Sequence, residues 1–272
     1  MTELAVNKND CDLDAALAGI SGGAVQRVTI DLTKIGWFNP IDIVRFKCLL
    51  QLAHEHSVTA KVIPPSKIEA ANYARRMGLL PSSKGVPSVA GATFFPLYEV
   101  RGDSNSALFD ELVRVFGPEQ PSVNWAPEVA AALIELADNI FYHAGTTLSS
   151  GWGYAHAQKL PNAKKIAVGI ADAGIGYTAS YRRTGQDRGR SPKQIVEDSF
   201  KLQESSLNLP GKPPHRGIGL FSVNDFISGF EGTLRLCTDN VSAEIVGKSP
   251  LRVGELPYYV CGTWVSLEIP IQ

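Results

Sequence analysis

Charge imbalance is nearly absent from this chain of 272 residues: 26 Lys and Arg stand against 27 Asp and Glu, a formal net charge of −1. A chain so balanced sets up no global field to draw in nucleic acid or an anionic lipid surface, and neither is expected as a partner. Cysteine is scarce, with only Cys11, Cys48, Cys237 and Cys261, scattered and without C-x-x-C spacing. That pattern predicts reduced thiols rather than a disulfide framework. No apolar run approaches the roughly 20 residues of a membrane span. Met1-Thr2-Glu3-Leu4 lacks the basic-then-apolar start of a leader, so a cytoplasmic protein off the membrane is expected. Charged residues make up 19%, somewhat few, whereas the 44% that are hydrophobic are ample for packed cores. Repeats and low-complexity tracts are missing, and the length exceeds the usual single domain, so two domains are expected.

The N-terminal third reads as short alternating elements. A brief helix is expected around Leu13-Asp14-Ala15-Ala16-Leu17. Val28, Ile30 and Leu32 alternate with Thr29 and Asp31 as in a strand. Asn39-Pro40 has the chemistry of a helix start, Asn39 as cap and Pro40 in a first turn that does not need its N–H. Ile41, Val44, Cys48 and Leu52 then share one face. Val58-Thr59-Ala60-Lys61-Val62-Ile63 reads as a second strand, ended by Pro64-Pro65. Ser66 and Glu69 have capping-box spacing at the head of a further helix, which Gly78 closes. Residues 25–80 therefore predict a small α/β unit. The turn-rich stretch Pro81-Ser82-Ser83-Lys84-Gly85-Val86-Pro87-Ser88 is the expected boundary, which divides the chain into 1–92 and 93–272.

Beyond it, Phe94 to Val100 reads as a strand and Ala107 to Phe116 as a helix capped from Asp103, Ser104 or Ser106. The next helix, with Pro127 and Glu128 in its first turn, organises the rest. Val129, Leu133, Leu136 and Ile140 recur at helical spacing. Glu135, Asn139 and His143 stand four apart, each step about 40° past a full turn, so the three share one stripe. Alone, that stripe is equally the wet side of an amphipathic helix. Two glycine clusters downstream point instead to a site. Ile166-Ala167-Val168-Gly169-Ile170-Ala171 reads as a buried strand and runs into Asp172-Ala173-Gly174-Ile175-Gly176. His215-Arg216-Gly217-Ile218-Gly219-Leu220 leads into a helix over Phe221 to Ile227. Gly151 to Gln158 and Lys165 to Ala171 are expected to pair antiparallel, and Glu231 to Leu236 and Cys261 to Pro270 supply later strands. Between the glycine clusters, residues 177–216 form a long interruption with Arg182, Arg183, Arg188 and Arg190 and a helix from Pro192 to Leu202. Those arginines face either phosphate or water.

In this order the pieces resemble the GHKL superfamily of ATPases, which includes gyrases, heat-shock chaperones, histidine kinases and mismatch-repair proteins. Glu135 to His143 looks like its N box, Asp172 to Gly176 like its D-x-G-x-G box, Gly217 to Leu220 like its G-x-G-L box, and Gly262-Thr263 to Pro270 like its last strand. The resemblance covers residues 126–270. It implies an α+β two-layer sandwich, the Bergerat-type ATP-binding fold, preceded by the small α/β domain. Within that domain, Asp31-Leu32-Thr33 followed by a helix, and Tyr73 to Leu79, resemble a STAS domain, the fold of anti-sigma-factor antagonists. The cofactors implied are ATP and Mg²⁺. Asp172 would meet adenine's exocyclic amine, and a buried carboxylate needs some such partner. Gly174 and Gly176 would let the backbone approach the base. Gly217 and Gly219 would offer N–H groups to phosphate, with Arg216 adding charge. Thr263 would lie near the adenine pocket. Mg²⁺ bound to a nucleotide needs few protein ligands, and Asn139, a poor residue for a helix interior, would add an oxygen without charge. Glu135 would orient or deprotonate the attacking water. His143 either contacts phosphate or favours the helix C-terminus as a partly positive ring.

The function expected is a Mg-ATP-binding regulatory protein that hydrolyses ATP or uses it to switch an interaction with a protein partner; a homodimer is compatible with this. The alternatives are a nucleotide-gated module without significant turnover and an anti-sigma-type serine kinase acting on a partner. Self-phosphorylation on histidine is disfavoured, because His54-Glu55-His56 has no companion long helix. Gly174 to Ala179 also fits the G-x-G-x-x-A turn of dinucleotide-binding proteins. That turn requires a regular helix at once and then a parallel strand, and Arg182-Arg183-Thr184-Gly185 interrupts. Trp37 to Asp42, at the helix start where phosphorylated STAS domains carry Ser or Thr, has no hydroxyl. A docking or regulatory role for the small domain follows better than a phosphoryl-acceptor role.

Overall fold

The structure, a computed structural model, describes residues 3–6, 10–81, 94–101, 125–140, 144–145, 151–201 and 219–271. Strands β1 (Glu3–Val6), β2 (Arg27–Asp31) and β3 (Thr59–Ile63) form a parallel three-stranded sheet in that order. Helices α1 (Asp10–Ser21) and α2 (Pro40–Glu55) make the crossovers, and α3 (Ile68–Arg76) follows β3. Strands β4 (Phe94–Arg101), β5 (Trp152–Leu160), β6 (Lys165–Asp172), β7 (Thr233–Val246) and β8 (Arg252–Pro270) form a five-stranded sheet in the order β4-β5-β6-β8-β7, antiparallel at every pairing. Helices α4 (Trp125–Asn139), α5 (Gly176–Arg183), α6 (Pro192–Ser199) and α7 (Gly219–Gly229) complete the seven helices among the described residues. The chain is therefore a mixed α and β protein. No helix among the described residues is long and apolar enough to cross a membrane.

Helices α1 and α2 pack against each other, as expected when crossovers between neighbouring parallel strands share one hand and so fall on one face of the small sheet. That helical layer also covers one face of the large sheet, α2 lying over β5 and β6 and α1 over β8. The sequence of β6 explains the fit. Ile166, Val168 and Ile170 enter a core with Leu133 and Leu136 of α4, with Ile140 just beyond its end, and with Val223 and Ile227 of α7. The alternating positions are small: Ala167, Gly169 and Ala171. At Gly169 the first turn of α2 comes so near that a Cβ would lie 2.5 Å from the Ile41 nitrogen. Only a residue without one allows that approach.

Because α2 lies between two sheets, it is buried on more than the one face expected. Val44 and Cys48 pack against Tyr154, Ala171, Cys237 and Trp264 of the large sheet. Ile43, Phe46, Leu49 and Leu52 join the core of the small one, while Ile41 is only half-buried. Between α1 and α2, the buried Asp14 and Arg45 form an ion pair at 2.9 Å, and the guanidinium lies 4.9 Å from the centre of the Trp264 ring. Such a pair contributes little net stability, since desolvation offsets attraction. The start of α2 matches its sequence, with Pro40 in the first turn and the Asp42 carboxylate accepting the Asn39 N–H at 2.8 Å. The Ser66–Glu69 capping box does not form. Lys67, which has no acceptor to offer, holds the cap position of α3, and the Ser66 N–H is drawn to the Thr33 carbonyl at 3.2 Å. Gly78 does close α3, with φ +85.

The interruption expected over 177–216 is instead structured as far as it is described. The helix from Pro192 ends at Ser199 rather than Leu202, and it starts on a capping box: the Ser191 Oγ accepts the Gln194 N–H at 3.3 Å and the Gln194 side chain accepts the Ser191 N–H at 2.9 Å. The two strands expected near the end extend into a long β7–β8 hairpin, whose tip buries Val241, Ala243 and Ile245 in the same core as Val196 and Phe200. The boundary stretch over residues 82–88 and the helix over 107–116 lie outside the described residues.

Candidate functional site

Asp172 ends β6, where the two neighbouring strands part company. On one side it pairs with Gly153 of β5. On the other, the β6–β8 ladder stops at Ala171–Trp264, which leaves Gly262 and Thr263 free to wrap the carboxylate. Oδ1 accepts the Gly174 N–H at 2.8 Å, and the Thr263 N–H is a second backbone donor to the group. Gly262, at φ +77, lies so close that a Cβ would be 2.6 Å from Oδ1. Asp172 is 6% exposed. Burial raises its pKa to about 7, against the two N–H groups that pull it down.

The turn after Asp172 is fixed on three sides. Gly174 abuts the segment beyond α4: a Cβ there would be 2.2 Å from the Ala144 carbonyl oxygen, which accepts the Ile175 N–H at 3.1 Å. Gly176 opens α5. The Thr263 hydroxyl donates to the Thr238 hydroxyl at 3.1 Å, which donates in turn to the Gly262 carbonyl at 2.9 Å. Behind the turn stands the α1–α2 layer. The Cys48 Sγ donates to the Ala171 carbonyl at 3.4 Å, and the Cys261 Sγ lies 3.5 Å from the Ser21 Oγ. Burial pushes both thiols up, and Cys48, Cys237 and Cys261 are buried and in no disulfide.

Helix α4 carries Glu135 and, as its last residue, Asn139, both half-buried beside the buried Leu133, Leu136 and Ala137. Its end reaches the Asp172 turn. A Cβ on Gly153, the register partner of Asp172, would be 2.9 Å from Cδ1 of Ile140. Asp172, Gly174, Gly176, Thr263 and the C-terminal end of α4 are thus brought together. Gly219 begins α7. His143, Arg216 and Gly217 lie outside the described residues. Among the described residues no group of three or more His, Cys, Asp and Glu side chains is placed to hold a metal.

Three of the four arginines after the turn have protein partners rather than facing an open site. Arg183 donates to the Gly145 carbonyl, tying α5 to the segment after α4, and Arg188 donates to the Gln186 side chain at 3.1 Å. Arg190 pairs with Asp198 at 2.7 Å, donates to the Gln186 carbonyl and lies over the Tyr181 ring. Sequence reasoning missed Thr238, Asp239 and Tyr259, which gather around Gly176 and Thr178. The alternation of Val241, Ala243 and Ile245 with polar residues signals the strand that carries the first two. The dinucleotide reading fails on topology, because β6 pairs antiparallel with both neighbours. No known family profile and no curated protein matches the chain.

Proposed function

We propose that the chain binds Mg-ATP at the turn after β6 and either hydrolyses it or uses it to switch a protein interaction. The observation that carries this reading is the Asp172 carboxylate. A carboxylate has about four acceptor positions, and two backbone N–H groups engage this one. What remains suits a donor such as adenine's amine, and a turn with glycine at 174 and 176 leaves the base room. The five-stranded sheet with α4 and α7 against one face supports a Bergerat-type α+β sandwich, in keeping with the GHKL resemblance. Asn139, ending α4 beside the turn, offers Mg²⁺ a neutral oxygen, and the ion when bound would screen phosphate charge. Glu135, one turn earlier, carries the carboxylate that would orient or deprotonate a water.

A switching role gains support from the layer behind the site. Cys48 of α2 bonds to the residue preceding Asp172, so a shift of that strand end on binding reaches the small domain directly. The small domain is read as STAS-like and regulatory rather than phosphorylated. The Thr33 hydroxyl, nearest to the helix start, donates to Asp31 at 2.6 Å. Incubation with radiolabelled ATP, tracking label to free phosphate or to protein, tests the proposal. Released phosphate marks an ATPase, transfer to an added partner marks a kinase, and tight binding without either marks a switch. Stoichiometric label within residues 29–45 would overturn the regulatory assignment of the small domain.

A further inference from the structure

Thr238 and Asp239 belong to none of the motifs that suggested a site, yet both are buried against the glycine turn, at 0% and 4% exposure. They sit where β7 loses register with β8. Thr238 pairs with Thr263, Asp239 with Val260, and regular pairing resumes only at Val241 and Glu255. Asp239 takes φ +53, a left-handed conformation that Asp tolerates better than most residues. This irregularity directs its side chain off the strand and onto α5.

There the carboxylate acts as a cap delivered from a distance. Oδ2 accepts the Thr178 N–H at 2.9 Å and the Thr178 hydroxyl at 2.8 Å, and Oδ1 accepts the Tyr259 hydroxyl at 3.4 Å. The Thr238 hydroxyl accepts the Tyr177 N–H at 3.2 Å. Ile175, at the cap position of α5, has no side-chain oxygen for these donors, which the helix itself leaves unsatisfied. Gly176, at φ +74, completes the fit, since a Cβ would lie 3.0 Å from the Asp239 Oδ1 and 3.2 Å from the Thr238 Oγ1. Thr238 also links this cap to Thr263, whose N–H bonds Asp172. One network therefore fixes both sides of the Gly174–Gly176 turn.

We propose that Asp239 is a positioning residue of the nucleotide site, holding the turn at the spacing that lets Asp172 select adenine. This inference rests on the ATP reading above. Guanine presents a carbonyl where adenine presents its amine, so selection depends on where the Asp172 oxygens stand.

Calorimetric titration of the full chain with Mg-ATP and with Mg-GTP, alongside thermal melting, tests it. In Asp239→Ala, ATP affinity is expected to fall roughly tenfold, with GTP affinity less affected, so the ATP-over-GTP preference shrinks. Asp239→Asn, which keeps an acceptor for the Thr178 N–H, should retain part of the preference. Thr178→Val removes only the hydroxyl arm and serves if Asp239→Ala does not fold; it should move the preference the same way, less far. Unchanged preference in folded variants, or equal losses for both nucleotides with a lowered Tm, would overturn the inference, because a merely structural role leaves the ratio alone. If the unaltered chain binds no ATP, the ATP reading fails and takes this inference with it. ATP binding that is indifferent to Asp239 sinks the inference alone.

Discussion

Asp172 holds its proton to about pH 7 where an ordinary aspartate releases it near 3.8, and this sets both its binding chemistry and its effect on folding. In the proposed ATP site the adenine amine is a donor, so binding would need the ionised carboxylate. Below pH 7, binding must expel a proton, and ATP affinity should weaken by about tenfold per pH unit. Calorimetry at about pH 6 and about pH 8, in buffers of different ionisation heat, reads both the affinity change and the released proton. Asp172→Asn should lose roughly ten- to a hundredfold in ATP affinity, since a charge-assisted bond is removed, and should lose this pH dependence. For folding, the raised pKa means that stability falls as pH rises from 3.8 to about 7. His156 acts in the opposite sense. It is fully buried, its Nδ1 donating to the Phe95 carbonyl, and burial lowers its pKa from 6.5 to about 4. Its contribution is present above pH 6.5 and disappears as pH falls toward 4. Over that window the two slopes cancel. Asp172→Asn should expose the histidine's slope, losing on the order of 3 kcal/mol between pH 6.5 and about 4. Melting curves across this range check it, and a variant as flat as the unaltered chain would contradict it. Asp172 itself was legible, because an apolar run ending in Asp and two glycines is punctuation any strand end displays. Asp239 was not, since it meets Thr178 from 61 residues away through a register break that local sequence does not encode.

Helix α4 offers the cleanest separation of roles. Glu135→Ala should leave Mg-ATP binding nearly intact and abolish any hydrolysis, because a water-orienting base acts only in the reaction. Asn139→Ala should remove the magnesium-dependent part of binding. Titrations with and without Mg²⁺, paired with phosphate release, distinguish the two; variants that bind and turn over normally would reduce the stripe to a helix surface. The element itself was readable because Leu133, Leu136 and Ile140 repeat at helical spacing and are all buried. Helix α2 was read less well. A single apolar face is what amphipathic patterning looks for, whereas this helix buries Val44 and Cys48 on one side and Phe46 and Leu49 on another. The α3 cap failed for a related reason: Ser66 and Glu69 had the right spacing, but the loop from β2 took the Ser66 N–H.

Taken whole, the molecule is two sheets sharing one helical layer, and the sequence hides this because each half patterns as a domain of its own. The small residues of β6 are the signal in hindsight, since an Ala-Gly-Ala alternation on a buried strand makes room for a close neighbour. Gly169→Ala should force α2 from the sheet and destabilise the protein by about 1–3 kcal/mol, the usual range for overpacking, seen as a lowered Tm. An unchanged Tm would mean that α2 can move off Gly169 without cost, against the 2.5 Å approach to the Ile41 nitrogen. The same layer touches the strand end that carries Asp172, so the proposed nucleotide site and the small sheet are joined by packing. The claim on which all of this depends is that the turn after β6 is an ATP site. Titrating the full chain with Mg-ATP in a calorimeter tests it most directly. Saturable binding, weaker for Mg-GTP and weakened by Asp172→Asn, is the predicted result; no detectable heat or displacement with Mg-ATP for the folded chain would contradict it.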